Sequence, residues 1–320
     1  MSCRDGWPFG SSCFGCFLFG MEAPVTIIDL NRAFATEEKC REYISRMRWP
    51  HGVACPRCHA KTVSTLRNQG KYECSKCFYQ FTITAGTIFH DSRLPLEKWF
   101  LAAYLMCESR KGVSANQLKR VLGVSYKTAW FLCHRIRAAM HIADTPTLNG
   151  AIEMDETYVG GRSRKNRATN KTMVLGAVQR GGDVRLKTDN RNANKAVVRE
   201  FIKRNMVPGE KTLYTDDARF YTMPHSGETK HESVNHSKDE WVRGLAHTNT
   251  IEGVFSLFKR SIVGAYHNIS AKHMDAYLDE FEFRFNRRNN SRLFEETIKQ
   301  LAMADPLTFA RLTKPPADQG

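Results

Sequence analysis

The sequence predicts a multi-domain α/β protein in which a small cysteine-bearing module and a helical module precede a mixed-sheet domain. Three observations predict it. Two C-x-x-C pairs, Cys55/Cys58 and Cys74/Cys77, lie close together. Residues 94–142 carry apolar positions at helical spacing in three successive runs. From residue 150 the pattern switches to short β-prone runs around one helix, and from 249 it returns to helices. A chain of 320 residues suits two or three domains, one of them with a substantial core.

Residues 1–20 are expected to be an extension outside the fold. Ser12 to Gly20 is Cys- and Phe-rich, without a strongly basic flank or an A-x-A-like cleavage site, and Met21 begins a more usual protein start. The first module spans 34–90. Residues 34–48 predict a short helix with Thr36 as N-cap and Pro50 beyond its end, and 71–73 and 78–84 predict strands. Fifteen residues separate Cys58 from Cys74. Each C-x-x-C places two thiolates on one tight turn, and a hairpin that joins the turns completes a tetrahedral Zn²⁺ site. Four thiolates leave no open position, so zinc bound by Cys55, Cys58, Cys74 and Cys77 is structural, and a segment this short needs it to fold. Cys40, Cys107 and Cys133 fall within helical patterns, which points to a reducing, cytoplasmic compartment rather than to disulfides.

Residues 91–145 predict a helix-turn-helix. Leu96–Cys107 carries Trp99, Phe100, Ala103, Tyr104 and Cys107 at helical spacing; Ser114–Leu122 follows and Gly123 breaks it. Ser125 then caps a helix bearing Ala129, Trp130, Cys133, Ile136 and Met140 on one face. The net charge is +15, with 48 Lys and Arg against 33 Asp and Glu, which favours a polyanionic partner. Helix, glycine-containing turn, helix is the shape that sets a helix in the major groove of double-stranded DNA. Lys127, Arg135 and Arg137, with His134, are expected off the apolar face, the three cations as DNA contacts; Arg57, Lys61, Arg67, Lys71 and Lys76 make the ribbon a second candidate. No apolar run is long enough to span a membrane.

Residues 148–300 predict the mixed-sheet domain, with 301–320 as a tail. A strand over 151–159 aims Ile152 and Met154 one way and Glu153 and Asp155 the other. Strands over 172–178 and 184–188, a helix over 194–203 and a strand over 212–215 follow, the last delivering Asp216 and Asp217. Asp155 and Asp216 are 61 positions apart. Asn249-Thr250-Ile251-Glu252 opens a helix with a buried stripe of Ile251, Val254, Phe255, Phe258 and Ile262. Glu252, Ser256 and Lys259 fall at i, i+4 and i+7, so Glu252 and Lys259 share a face about 10 Å apart along the axis. Each acid has a bland reading: Asp216 and Asp217 as turn residues, Glu252 as the last member of a capping box begun by Asn249, Lys259 as a solvated lysine. Taken together, three carboxylates (Asp155, Asp216 and Glu252) suit two Mg²⁺ or Mn²⁺ ions roughly 4 Å apart, as an in-line phosphoryl displacement requires.

Four segments carry a resemblance: CPRC…CSKC, AGTIFHDSRLPLEKWF (85–100), MDETYVGG (154–161) and HTNTIEGVFSLFKRSIVGAYHNIS (247–270). Over about residues 34 to 290 the chain resembles the DDE transposases of bacterial insertion sequences that carry an N-terminal zinc ribbon, of the ISXO type. The resemblance implies an RNase H-like catalytic domain, DNA cleavage at transposon ends with strand transfer into a target, and a homo-oligomer that brings the ends together in the nucleoid. By position, Asp155, Asp216 and Glu252 match the three acids, and Lys259 the downstream lysine, with Arg260 beside it as a DNA contact. In parts of this group an Asn takes the third place, which here would be Asn249; Glu252 is preferred because a carboxylate binds Mg²⁺ better and its spacing to Lys259 fits. His247 and Tyr158 are further candidates to line the site. Two other readings remain: a catalytically inactive DNA-binding regulator derived from a transposase, and a metal-dependent structure-specific nuclease.

Overall fold

The computed structural model describes residues 26–66, 70–141, 147–160, 171–189, 194–216, 221, 229–234, 244 and 246–314. The 1–20 extension, Arg67, Asp217 and the end of the tail lie outside the described residues.

The N-terminal half begins with α1 (Ile27–Ala33), closed by a capping box between Thr26 and Asp29, and α2 (Glu37–Arg48), whose N-cap is the expected Thr36. The antiparallel strands β1 (Val63–Leu66), β2 (Lys71–Cys74) and β3 (Gln80–Thr82) form the ribbon. Its small core is Cys55, Cys74, Phe81 and Ala85, flanked by Trp49 and Tyr72. Arg48 ties the ribbon to α2 by donating to the carbonyls of Ile83 (2.5 Å) and Ala85 (2.6 Å).

Three helices follow, α3 (Leu96–Glu108), α4 (Ala115–Leu122) and α5 (Tyr126–Met140). Ser114 and Ser125 cap α4 and α5, each accepting a bond from the backbone three residues on. Gly123 ends α4 at φ 62°, ψ 43°, a left-handed cap that costs a residue without Cβ nothing and forces the turn into α5.

The second half is built on one mixed sheet of β4 (Leu148–Val159), β5 (Thr172–Gln179), β6 (Val184–Asp189), β7 (Met206–Asp216) and β8 (Thr229–Val234), ordered β6-β5-β4-β7-β8. β6, β5 and β4 pair antiparallel; β4, β7 and β8 pair parallel. α6 (Lys195–Asn205) covers one face, packing Val197, Val198 and Phe201 on Ile152, Met154, Leu175 and Leu213. α7 (Asn249–Ser261) and α8 (Met274–Asn286) cover the other, with Ile251, Val254, Phe255, Phe258, Leu278 and Phe281 on Val174, Val178 and Leu186. This is the mixed-sheet domain that an RNase H-like expectation calls for, with the cysteine cluster N-terminal to it. No helix among the described residues is long and apolar enough to cross a membrane.

Two differences concern the boundaries. α9 (Leu293–Met303) does not join the sheet domain: Leu293, Phe294, Ile298 and Leu301 enter the core of the N-terminal helices, with Phe294 against Phe34 and Phe100. The expected 148–300 span therefore crosses from one core into another. The expected tail contains a short helix, α10 (Phe309–Thr313), which brings Phe309 onto Phe131 of α5.

A third difference corrects the expected DNA contacts. Arg137 is 1 % exposed and donates from Nε to Glu280 of α8 at 2.7 Å. Tyr266 donates to the other oxygen of Glu280, and Arg284 reaches the carbonyls of Ser109 and Arg110. Arg135 is 4 % exposed and donates to the carbonyl of His90, its guanidinium over Trp99. Both arginines hold the fold together and neither faces solvent. The cause is that α5 is wrapped on nearly all sides, by α3, α8 and α9, so it has no solvated face along most of its length. His134 is buried with them, and burial pushes its pKa down to about 3.

Candidate active site and structural zinc site

The four cysteines converge. Their sulfurs lie within 4.8 Å of one another, with Cys55 Sγ to Cys77 Sγ at 3.7 Å and Cys58 Sγ to Cys74 Sγ at 3.5 Å. A tetrahedron with Zn–S bonds of about 2.3 Å has edges of about 3.8 Å, so the donor set fits zinc. The two turns are copies of each other. The residue after each pair, His59 and Phe78, adopts positive φ (58° and 56°). Its N–H bonds the carbonyl of the first cysteine, at 2.9 and 2.8 Å. That left-handed step turns both thiolates of a pair to one point.

The carboxylates converge from three distant segments. In the parallel pair β4/β7, Ile152 lies beside Leu213 and Glu153 beside Tyr214. Carried two residues beyond the last paired position, the same offset brings Asp155 toward Asp216, whose charge acts on Asp155. Neighbouring strands stand about 4.8 Å apart, and register partners in a parallel pair share a face. That face is the one α7 covers, and Glu252 sits in the first turn of α7. Asp155, Thr157, Glu252, Phe255, Ser256, Lys259, Arg260 and Val263 line one open cleft of ≈ 470 Å³. Burial, then the charge of Glu156, and then those of Asp216 and Glu252, push the Asp155 carboxyl up to about 7, against one opposing hydrogen bond from its neighbour's N–H. Crowded acids of this kind are the donor chemistry for hard cations.

Gly176 sets how closely α7 approaches. It is the β5 partner of Asp155, and a Cβ there would lie 2.8 Å from the Phe255 ring and 2.9 Å from Leu186. Only a bare α-carbon lets the ring lie against the sheet beside Asp155.

The other expected residues divide. Lys259 and Arg260 are exposed on the cleft wall. Asn249 is exposed at the start of α7 and does not line the cleft. The capping-box reading of Glu252 changes partner: the N-cap is Thr248, whose hydroxyl donates to Glu252 Oε1 at 3.0 Å. Tyr158 has the parity of Met154 and Glu156, opposite to Asp155, and does not line the cleft. His247 is half-buried with Nδ1 3.3 Å from Glu153 Oε1. Ser125, Tyr126, Lys127 and Thr128 are exposed at the start of α5, with Lys127 Nζ 4.6 Å above the Phe309 ring.

Two residues escaped the sequence reading. Glu156, on the α6 face, accepts a bond from the buried Tyr221 hydroxyl at 2.8 Å. Glu153 is fully buried and joins β4 to α7 and Arg180. Its parity with Asp155 was visible in the sequence; its partners were not.

Residues 147–286 match the ISXO2-like transposase domain, and residues 35–80 match the transposase zinc-ribbon domain. The chain is 30% identical over 275 residues to an uncharacterized protein in the transposable element ISH50 of Halobacterium salinarum, covering 79% of this chain and 92% of that one. A chain of the Mos1 transposase paired-end complex with left transposon end aligns over 64% of this chain and 78% of its own, at 15% identity and a TM-score of 0.29, too weak a likeness to assign anything by. With the zinc ribbon at one end and the matched domain built around the acidic cleft at the other, the chain belongs to the family of transposases that carry an ISXO2-like transposase domain.

Proposed function

We propose that this chain cuts DNA at the ends of its own element and joins them to a target, with Asp155, Asp216 and Glu252 holding divalent metal ions, Mg²⁺ or Mn²⁺. The observation that carries the reading is one cleft lined by Asp155 and Glu252, within reach of the charge of Asp216, whose wall also bears Lys259 and Arg260. Such ions, when bound, supply an activated water or 3′-hydroxyl and a stabilised leaving oxygen. The chain's own side chains do the rest. Lys259 and Arg260 hold backbone phosphates against the cleft, and Phe255, pressed on Gly176, keeps the helix that carries Glu252 at a fixed height above the sheet. The exposed N-terminal turn of α5, with Lys127, enters the major groove, and two or more copies of the chain pair the ends.

The test is incubation of the purified protein with labelled element ends and a target plasmid, with Mg²⁺ or EDTA, beside Asp155→Ala. Metal-dependent nicking at the ends and joined products, both absent in the variant, are expected. Specific binding without cleavage in any divalent metal would overturn the reading in favour of a DNA-binding regulator.

A further inference from the structure

We infer that Glu153, with Arg180, is the positioning residue that sets the third acid of the cleft against the first two. The inference rests on the proposed metal site. A buried carboxylate normally takes up a proton or finds partners. Glu153 is 0 % exposed and its partners are complete. Oε1 accepts from Arg180 Nε at 2.7 Å and from the Thr250 hydroxyl at 2.8 Å. Oε2 accepts from the backbone N–H groups of Thr250 at 2.7 Å and Ile251 at 3.1 Å.

Those last two bonds are unusual in origin. The first turn of a helix leaves N–H groups unsatisfied, and a side chain at the N-cap normally takes them. Here the N-cap Thr248 makes no such bond, because its hydroxyl goes to Glu252. A carboxylate from the central strand caps α7 instead, where the helix dipole also favours its charge. Glu153 lies two residues before Asp155, and Ile251 immediately precedes Glu252. The bonds therefore fix the backbone that carries the third acid to the strand that carries the first.

Arg180 extends the anchor to the remaining segment. Its guanidinium lies 4.1 Å from the ring centroid of Tyr214, two residues before Asp216, and its Nη2 donates to the carbonyl of His247 at 3.2 Å. One ion pair, buried at its Glu153 end, thus touches all three chain segments just upstream of their acids. Groups that orient metal ligands without touching the metal commonly change affinity by 10- to 100-fold when removed.

The experiment measures Mn²⁺ binding to the zinc-loaded full chain by electron paramagnetic resonance, without DNA, alongside thermal unfolding. Wild type is compared with Asp155→Ala, Glu153→Gln, Thr250→Ala and Val198→Ala. Val198 lies on α6, buried against the opposite sheet face, so Val198→Ala loses stability without touching α7. Glu153→Gln is expected to weaken Mn²⁺ binding about tenfold or more and Thr250→Ala severalfold, while Val198→Ala leaves it unchanged. Thr250→Ala removes one bond and keeps a good helix residue, so it reads the effect if Glu153→Gln does not fold. Wild-type Mn²⁺ affinity in the folded Glu153 and Thr250 variants would overturn the inference alone. Equal binding by wild type and Asp155→Ala would overturn the metal site and the inference with it.

Discussion

The cysteine knuckle and the carboxylate cleft are built in opposite ways. The knuckle takes its four ligands from two tight turns joined by one hairpin, and its core besides them is small, with Phe81 and Ala85 buried. The cleft takes its acids from a central strand, a neighbouring strand and a helix far along the chain, all held by a sheet with a core on both faces. A knuckle with so small a core needs its metal to fold. The cleft rests on a sheet with a core on both faces, at the cost of crowding charges that the fold forces together. The contrast predicts opposite responses to the loss of a ligand.

The largest effect falls on the knuckle. Binding of structural zinc supplies about 10 kcal/mol or more of folding free energy to small modules of this kind. Cys58→Ser, or a strong chelator, should release the metal and unfold residues 51–82 while leaving β4 to β8 intact. Limited proteolysis with zinc release checks this: cuts within 51–82 and protection after 148 are expected, and a ribbon that stays protected without zinc would erase the contrast.

Asp155→Asn is the matching change in the cleft. It should reduce end cleavage by about a thousandfold or more, since metal-held charge stabilisation supplies several kcal/mol. In metal-free protein it should also raise the melting temperature by about 2–4 °C, because it removes a buried charge that Glu156, Asp216 and Glu252 repel. A ligand substitution that unfolds one site and stabilises the other is what the comparison requires; a fall in melting temperature would break it.

Much of this was legible from the sequence because it is local. Thr36, Ser114, Ser125 and Gly123 act within a few residues of themselves, and the cysteine spacing describes its own turn. The spacing of Asp155 and Asp216 was also legible, since a parallel register is a constant offset. What stayed hidden depends on partners distant in sequence. Arg137 is a solvent-seeking residue until Glu280 arrives from α8 to hold it. Nothing near α9 says that it returns to the first core. β8 reads Thr-Lys-His-Glu-Ser-Val, with no apolar alternation, because it pairs at the sheet edge. Glu153 carried a periodicity signal, yet its role needs the position of α7.

Gly176→Val sharpens the same point at a smaller scale. The new side chain would meet the Phe255 ring and Leu186, and overpacking of this kind costs about 1–3 kcal/mol. α7 must lift, so cleavage should fall more steeply than stability does. Melting temperature and cleavage rate measured together check this, and zinc content should not change. A rate that falls only with the folded fraction would show that the height of α7 is not critical.

The smallest effect isolates how the fold manages a half-buried carboxylate with no direct ion pair among the described residues. Glu280 has Arg137 and Glu153 has Arg180. Glu282 of α8 instead accepts from the Leu186 N–H, and burial pushes its pKa up to about 8, with Asp279 adding to the rise and Arg185 and His141 opposing it. A carboxyl raised above its unfolded value binds its proton more tightly when folded. Its contribution is therefore full below about pH 4.5 and is lost as pH rises toward about 8. The slope across that window is up to about 1.4 kcal/mol per pH unit. Glu282→Gln keeps an acceptor for Leu186 and removes the titration. It should match wild type near pH 4.5 and melt higher at pH 8 to 9, with a flatter profile between. Asp155→Asn should flatten the metal-free profile too, but added Mn²⁺, which stabilises wild type and not the variant, should reverse that difference at high pH and leave the Glu282 one in place. Two carboxylates raised by the same burial would then be separated by what each is built to receive, a cation or a proton.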